Sequence, residues 1–210
     1  MAAGRVKEGA LENVRQPRVP PGQHVTDQWP VLHYGSVPRV DLARWRFRVF
    51  GAVAEEQTWT YEAFLQLGHA EVRCDVHCVT RWSRLDNHFA GVPARAVLRA
   101  VRVQPGARWV MVRAEEGYTT NLRVEDLDRD EVLFATHHDG RPLSPEHGWP
   151  VRLVVPHLYF WKSAKWVRGL EFLTEERLGF WEAAGYHRRG DPWREERFAD
   201  EPESWRTAGR

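Results

Sequence analysis

The pattern of apolar and polar positions changes character along the chain. Across residues 44–53, Trp45, Phe47 and Val49 alternate with Arg44, Arg46 and Arg48, the period of a half-buried strand that ends near Gly51. Thr60 then precedes Tyr61, Phe64 and Leu65, a spacing that predicts a short helix with a hydroxyl cap, and a further strand leads into Cys78. Behind Pro93, the residues Val97, Leu98 and Val101 share one helical face, so a second helix is predicted over residues 93–103. The second half carries strand-like runs at residues 109–112, 132–135, 151–155 and 166–172. Many strands with few, short helices predict an α+β domain dominated by sheet rather than a regular βαβ alternation. Residues 1–28 show no period and contain Pro17, Pro20, Pro21 and Gly22, so they read as a flexible N-terminal arm outside one domain spanning 29–210. The aromatic tail beyond Gly179, with Phe180, Trp181, Tyr186 and Trp193, is expected to pack on the body.

Composition narrows the class without choosing the function. At 210 residues, with 42% hydrophobic and 28% charged, the chain has the make-up of a globular protein. Thirty Lys+Arg oppose 29 Asp+Glu for a net charge of +1, so no overall basic field suggests a nucleic-acid partner. No apolar run reaches the roughly 18 residues of a membrane span, and the first thirty residues have no apolar signal core. A soluble cytoplasmic protein with no membrane partner is expected. The two cysteines, four residues apart, make no disulfide framework and suit a reducing compartment. Eleven Trp, five Tyr and nine Phe imply an aromatic core, a ligand pocket, or both.

Three segments carry candidate chemistry. Cys74, His77 and Cys78 place three soft or borderline donors within five residues, which a distant histidine could complete as a zinc site, although the paired Cys-x-x-Cys spacing is absent. One thiolate binding another metal, with Arg81 stabilising anionic charge, and two small buried residues at a strand end are the other readings. Around Lys162, Ser163, Ala164 and Lys165, two of the chain's three lysines stand within four residues beside a hydroxyl, which suits a phosphate or other anion; an exposed charged turn is the alternative. Arg152 lies inside an otherwise apolar strand, where it should meet an anion or a carboxylate. His147, on a Gly-Pro turn, reads by itself as a surface residue. Residues 117–122 look like a compact polar loop.

Taken in order, six segments resemble the molybdenum-cofactor domain of the sulfite oxidase family, most closely its small bacterial members. They are residues 29–35 (Trp-Pro-Val-Leu-His-Tyr-Gly), 77–83 (His-Cys-Val-Thr-Arg-Trp-Ser), Gly91-Val92, 117–122 (Gly-Tyr-Thr-Thr-Asn-Leu), 147–152 (His-Gly-Trp-Pro-Val-Arg) and 159–166. The resemblance implies a molybdenum–molybdopterin cofactor with a single pterin, a thiolate ligand to the metal at Cys78, and Cys74 left as a structural thiol. It carries pterin contacts to His33, Tyr34, His147, Arg152, Ser163, Ala164 and Lys165, with Lys162 as a further basic contact and Ala114 contributing only its backbone. Arg81 and Tyr186 are implied near the metal, Tyr186 as a phenol able to hydrogen-bond a substrate oxygen, although packing of the tail explains that ring as well. The implied activity is oxygen-atom transfer to or from a small molecule, either reduction of an S- or N-oxide or oxidation of a sulfite-like species. Sulfite oxidases present arginines to the anion, whereas Trp82 and Ser83 follow Arg81 here and Leu32 precedes His33, so the anion pocket looks thinner. No haem module, added dimerisation domain or twin-arginine leader is recognised, so electrons are expected to pass through a separate carrier. A metal- or cofactor-binding protein with a structural role is the alternative class.

Overall fold

The structure, a computed structural model, describes residues 17–199. Among them the strands are β1 (His24–Val25), β2 (Arg46–Gly51), β3 (Gln57–Thr60), β4 (Ala70–His77), β5 (Trp82–Pro93), β6 (Trp109–Ala114), β7 (Thr119–Arg123), β8 (Leu133–His138), β9 (Arg141–Pro142), β10 (Arg152–Val154) and β11 (Val167–Leu173). Four short helices join them: α1 (Tyr61–Leu65), α2 (Ala94–Ala100), α3 (Val124–Leu127) and α4 (Phe180–Ala183). Thr60 caps α1 by accepting the Ala63 N–H, as the sequence predicts. The strands form two sheets, one ordered β3-β2-β11-β6-β7 and one built on β5, which pairs with β4, β8 and β1, while β8 continues to β9 and β10. This is the sheet-rich α+β architecture expected from the pattern.

Strand alternation gives β8 and β10 two different faces. Phe134 and Leu153 point into the main core with Trp45, Phe47 and Phe64, where the Phe47 ring lies 4.5 Å from Phe64 and 5.1 Å from Phe134. Each such ring contributes about 1.5–3 kcal/mol by leaving water. Leu133, Ala135 and Val154 point the other way, into a second cluster with Val76, Cys78, Trp82 and Phe160. Arg152, two residues before Val154, is therefore delivered to the face that carries Cys78.

Two expectations change, and one strand was not foreseen. Residues 17–28 are not a free arm: β1 pairs in parallel with Trp82 and Ser83, and Arg18 holds Asp75 at 2.6 Å and Asp86 at 2.7 Å. A two-residue strand leaves no periodicity to read, and residues 1–16 lie outside the described residues. The polar loop at 117–122 is largely strand β7, whose Thr120 and Asn121 are buried because each finds a charged partner, Glu182 for Thr120 and Lys162 for Asn121. Residues 82–93 form the longest strand, hidden in the sequence by buried Ser83 and Asn87 and by a left-handed Asp86.

Candidate active site

Cys78 follows the last residue of β4 and opens a tight turn. Its N–H donates to Trp82 O at 2.8 Å and its carbonyl accepts the Arg81 N–H at 3.0 Å, with Arg81 held at a φ of 74°. The turn presents the Cys78 side chain, in a residue 8% exposed, to a cavity of about 330 Å³. Burial pushes the Cys78 thiol up, opposed by the Thr80 hydroxyl, which donates to Sγ at 3.1 Å, and by the Arg197 charge. Metal binding would favour the thiolate. Cys74 is pushed up to about 12, by burial first and then by the Asp75 and Glu131 charges, and does not line the cavity.

Across the cavity stands a cationic wall. Arg152 is 1% exposed; its Nη1 donates to His147 O and its Nη2 to Ser163 O, both at 3.0 Å, and its Nε makes no hydrogen bond. Among the described residues no carboxylate pairs with it, and burial lowers its pKa to about 9. An unpartnered guanidinium so deeply buried is unfavourable unless an anion joins it. Lys165 adds a second cation, lowered to about 7 by burial and by the Arg152 charge, with its Nζ donating to Glu146 O at 2.6 Å. Gly148, at a φ of 109°, allows the two to meet: a Cβ there would stand 3.0 Å from Arg152 Cβ and 3.1 Å from Lys165 Cβ. The remaining walls are mostly aromatic, including Trp29, Tyr118, Trp161, Trp166, Phe180 and Tyr186. A thiol, an orphaned guanidinium, a lysine and aromatic walls on one cavity, with Glu115 and Glu116 also at its lining, fit a pterin with a phosphate, bound through sulfur to a metal.

The structure brings together His33, Tyr34, Cys78, Arg152, Ser163, Ala164, Lys165 and Tyr186 around this cavity. Ser163 also fixes the local chain, its Oγ accepting the Val155 N–H. Tyr186 lies 5.2 Å from the Trp161 ring and 5.0 Å from that of Trp181; burial, then the Cys78 charge, raises its pKa, so its phenol stays a donor. Four expected residues do not line the cavity. Lys162 is fully buried and spent on Glu182 at 2.6 Å, Asn121 and the Arg188 carbonyl, because β7 and α4 close over it. Ala114 ends β6, its N–H donating to Tyr118 O, and the cavity is reached by Glu115 and Glu116 instead. Arg81 is exposed, and its guanidinium lies beside Gly22 rather than on the cavity. His147 acts from behind, its ring 4.0 Å from Trp29 and its carbonyl on Arg152. Nor do Cys74, His77 and Cys78 converge: His77 Nδ1 meets Ser83 Oγ at 2.8 Å, and no cluster of three His, Cys, Asp or Glu able to hold a metal occurs among the described residues.

Sequence reasoning gave Tyr118, whose hydroxyl donates to the Trp161 carbonyl at 2.8 Å, no individual role, and it missed two residues behind the cysteine turn, Gln23 and Arg197. Tyr118 lay within a recognised motif, whereas the other two approach the turn from distant segments that carry no local signature.

Comparison with known proteins agrees with this geometry. Residues 34–181 match the oxidoreductase molybdopterin binding domain. The uncharacterized oxidoreductase YuiH of Bacillus subtilis is 49% identical over 182 residues, covering 86% of this chain and 92% of that protein. A putative protein-methionine-sulfoxide reductase subunit, YedZ1, of Azospira oryzae is 26% identical over 80% of this chain and 64% of its own length. The sulfane dehydrogenase SoxCD of Paracoccus pantotrophus shares the fold, with a TM-score of 0.63 and 22% identity over 68% of this chain and 41% of that one. The chain belongs to the oxidoreductase molybdopterin-binding domain family, and it is an oxidoreductase of the sulfite oxidase-like fold.

Proposed function

We propose that the protein reduces a small neutral S- or N-oxide, with Cys78 as the thiolate ligand of molybdenum and the pterin phosphate held by Arg152 and Lys165. When bound, the cofactor supplies a metal that exchanges two electrons and accepts an oxygen atom. His33, Tyr34, Ser163 and the Ala164 backbone shape the pterin site, and the aromatic walls exclude water. Tyr186 donates its phenolic proton to the substrate oxygen. In the net reaction the S–O or N–O bond breaks, the oxygen leaves as water with two protons, and two electrons arrive from a separate one-electron carrier. The two free cysteines suit a cytoplasmic setting.

One observation carries the choice of substrate. Among the described residues the cavity's arginine and lysine are Arg152 and Lys165, both assigned in this reading to the phosphate, while the Arg81 guanidinium lies beside Gly22. No further fixed cation is left to hold an anion such as sulfite, whereas a neutral oxide needs only a hydrogen-bond donor. The kinship with a putative methionine-sulfoxide reductase subunit supports the same direction.

The test is an anaerobic assay of the molybdenum-loaded protein with artificial one-electron dyes, comparing neutral sulfoxides and amine N-oxides with sulfite. Turnover of the neutral oxides at least about tenfold above sulfite is expected, falling in Tyr186→Phe with little change in melting temperature. Preferred sulfite oxidation would overturn the reading.

A further inference from the structure

The turn that carries Cys78 is gripped from outside at its carbonyls. Gln23 Nε2 donates to Cys78 O at 3.0 Å, the His24 N–H donates to Arg81 O at 2.9 Å, and Arg197 Nη1 donates to Val79 O at 2.6 Å. Two of these contacts come from the N-terminal segment and the third from a residue 118 positions away in sequence. Arg197 is 3% exposed, stacks over Tyr159 with Cζ 4.9 Å from the ring centroid, and has the Glu195 carboxylate 3.9 Å from Nη2. Its Nε and Nη2 make no hydrogen bond. Burying a guanidinium so incompletely satisfied is a poor way to stabilise a fold, since an apolar side chain of similar volume would serve that purpose at least as well. The turn it holds contains the left-handed Arg81, a backbone state that persists only where surrounding contacts over-determine it.

We propose that Arg197 is a positioning residue for the metal ligand: by holding the Val79 carbonyl it fixes the turn that aims the Cys78 sulfur into the cavity, a role that rests on the reading of Cys78 as that ligand. Arg197 neither lines the cavity nor touches substrate. Besides its charge, which favours the Cys78 thiolate, its effect passes through the Val79 carbonyl and the backbone of the turn. Freed from Arg197, the Val79–Thr80 peptide can rotate, Arg81 relaxes toward negative φ, and Sγ moves off the position set for the metal. The pterin contacts on the opposite wall are left in place.

Arg197→Gln and Arg197→Lys are compared with the wild type in two measurements. The first is amide hydrogen exchange of the apoprotein across residues 76–82 together with its melting curve. Loss of a charged hydrogen bond should speed exchange of the Cys78 and Arg81 amides about tenfold in Arg197→Gln, with exchange elsewhere unchanged. Arg197→Lys, which keeps a cation in the same space and guards against a variant that does not fold, should fall between. The second measurement is molybdenum per bound pterin and the thiolate-to-molybdenum absorption band. Pterin content should stay at the wild-type level while molybdenum falls severalfold and the band shifts, with partial recovery in Arg197→Lys. Exchange that is unchanged in the turn, or that rises throughout the protein in step with a lower melting temperature, would overturn the positioning role. So would an unshifted band with full molybdenum. A Cys78→Ser control that retains molybdenum would instead remove the ligand reading itself, while the metal-free exchange measurement still reports on the clamp.

Discussion

Arg152 shows how a single side chain can announce a site. A guanidinium inside an apolar strand must find a partner, and the structure supplies only two backbone carbonyls, leaving Nε without a hydrogen bond. Its neighbours are rings rather than carboxylates, Phe160 at 4.3 Å and Trp29 at 5.2 Å from Cζ. Such a group contributes little to the apoprotein and much to an anion complex, because in a dry pocket the charge-assisted contact is strong. Arg152→Met should therefore lower pterin affinity by about ten- to a hundredfold, the equivalent of losing about 1.5–3 kcal/mol. Equilibrium binding of the phosphorylated pterin to apoprotein measures it, and an unchanged affinity would show that the phosphate lies elsewhere. The place of Cys78 on the cavity was legible for a different reason: its motif is local, and the turn that presents it spans five residues from Cys78 to Trp82.

At the scale of elements, legibility follows the origin of burial. Strand β2 and helix α1 were read correctly because their buried residues are apolar and recur at the period of the element. Strands β5 and β7 were not, since they bury Ser83, Asn87, Thr120 and Asn121 through partners that no local pattern reveals. The same cause misplaced Lys162. Its spacing from Lys165 suggested one anion site, but the 3₁₀ turn Phe160–Lys162 sends it beneath the cavity, toward Glu182 of α4. There it forms a fully buried ion pair with Glu182 Oε1, which also accepts from Thr120 and Trp161, while Oε2 has no hydrogen-bond partner. Removing one partner of such a pair strands the other charge, so Lys162→Met should destabilise the fold by about 3–5 kcal/mol in denaturant unfolding. Pterin affinity of the protein that remains folded should change less than about twofold, the outcome that separates a structural lysine from a cofactor contact. Adding Glu182→Leu should recover part of the lost stability, because the double change removes both charges.

For the molecule as a whole, the cofactor completes a charge balance that the polypeptide leaves open. The chain is close to neutral, at +1, yet it buries Arg152 on the same cavity as the half-buried Lys165, whose charged state burial and the Arg152 charge disfavour. Binding an anion there couples to global stability, since a ligand held only by the folded state raises the melting temperature. At a pterin concentration about a thousandfold above Kd the gain is about 4 kcal/mol, or about 8–16 °C for a domain of this size. The gain should also depend on pH, through Lys165. In the free protein its pKa is lowered to about 7, by burial first and Arg152 second, with Glu146 opposing. A phosphate beside it raises that value, so binding takes up a proton, and affinity is highest below about 7 and declines as pH rises above it. Arg152, at about 9, stays mostly charged up to pH 8.5, and the phosphate's own second ionisation, near 6, is largely complete by pH 7. Between pH 7 and 8.5 affinity should therefore fall by up to about tenfold per pH unit, narrowing the gap between holo and apo melting temperatures by a few degrees. In Lys165→Met the gap should be smaller at pH 7 and nearly flat to 8.5. A gap that stays constant in the wild type, or narrows equally in the variant, would show that Lys165 does not meet the phosphate.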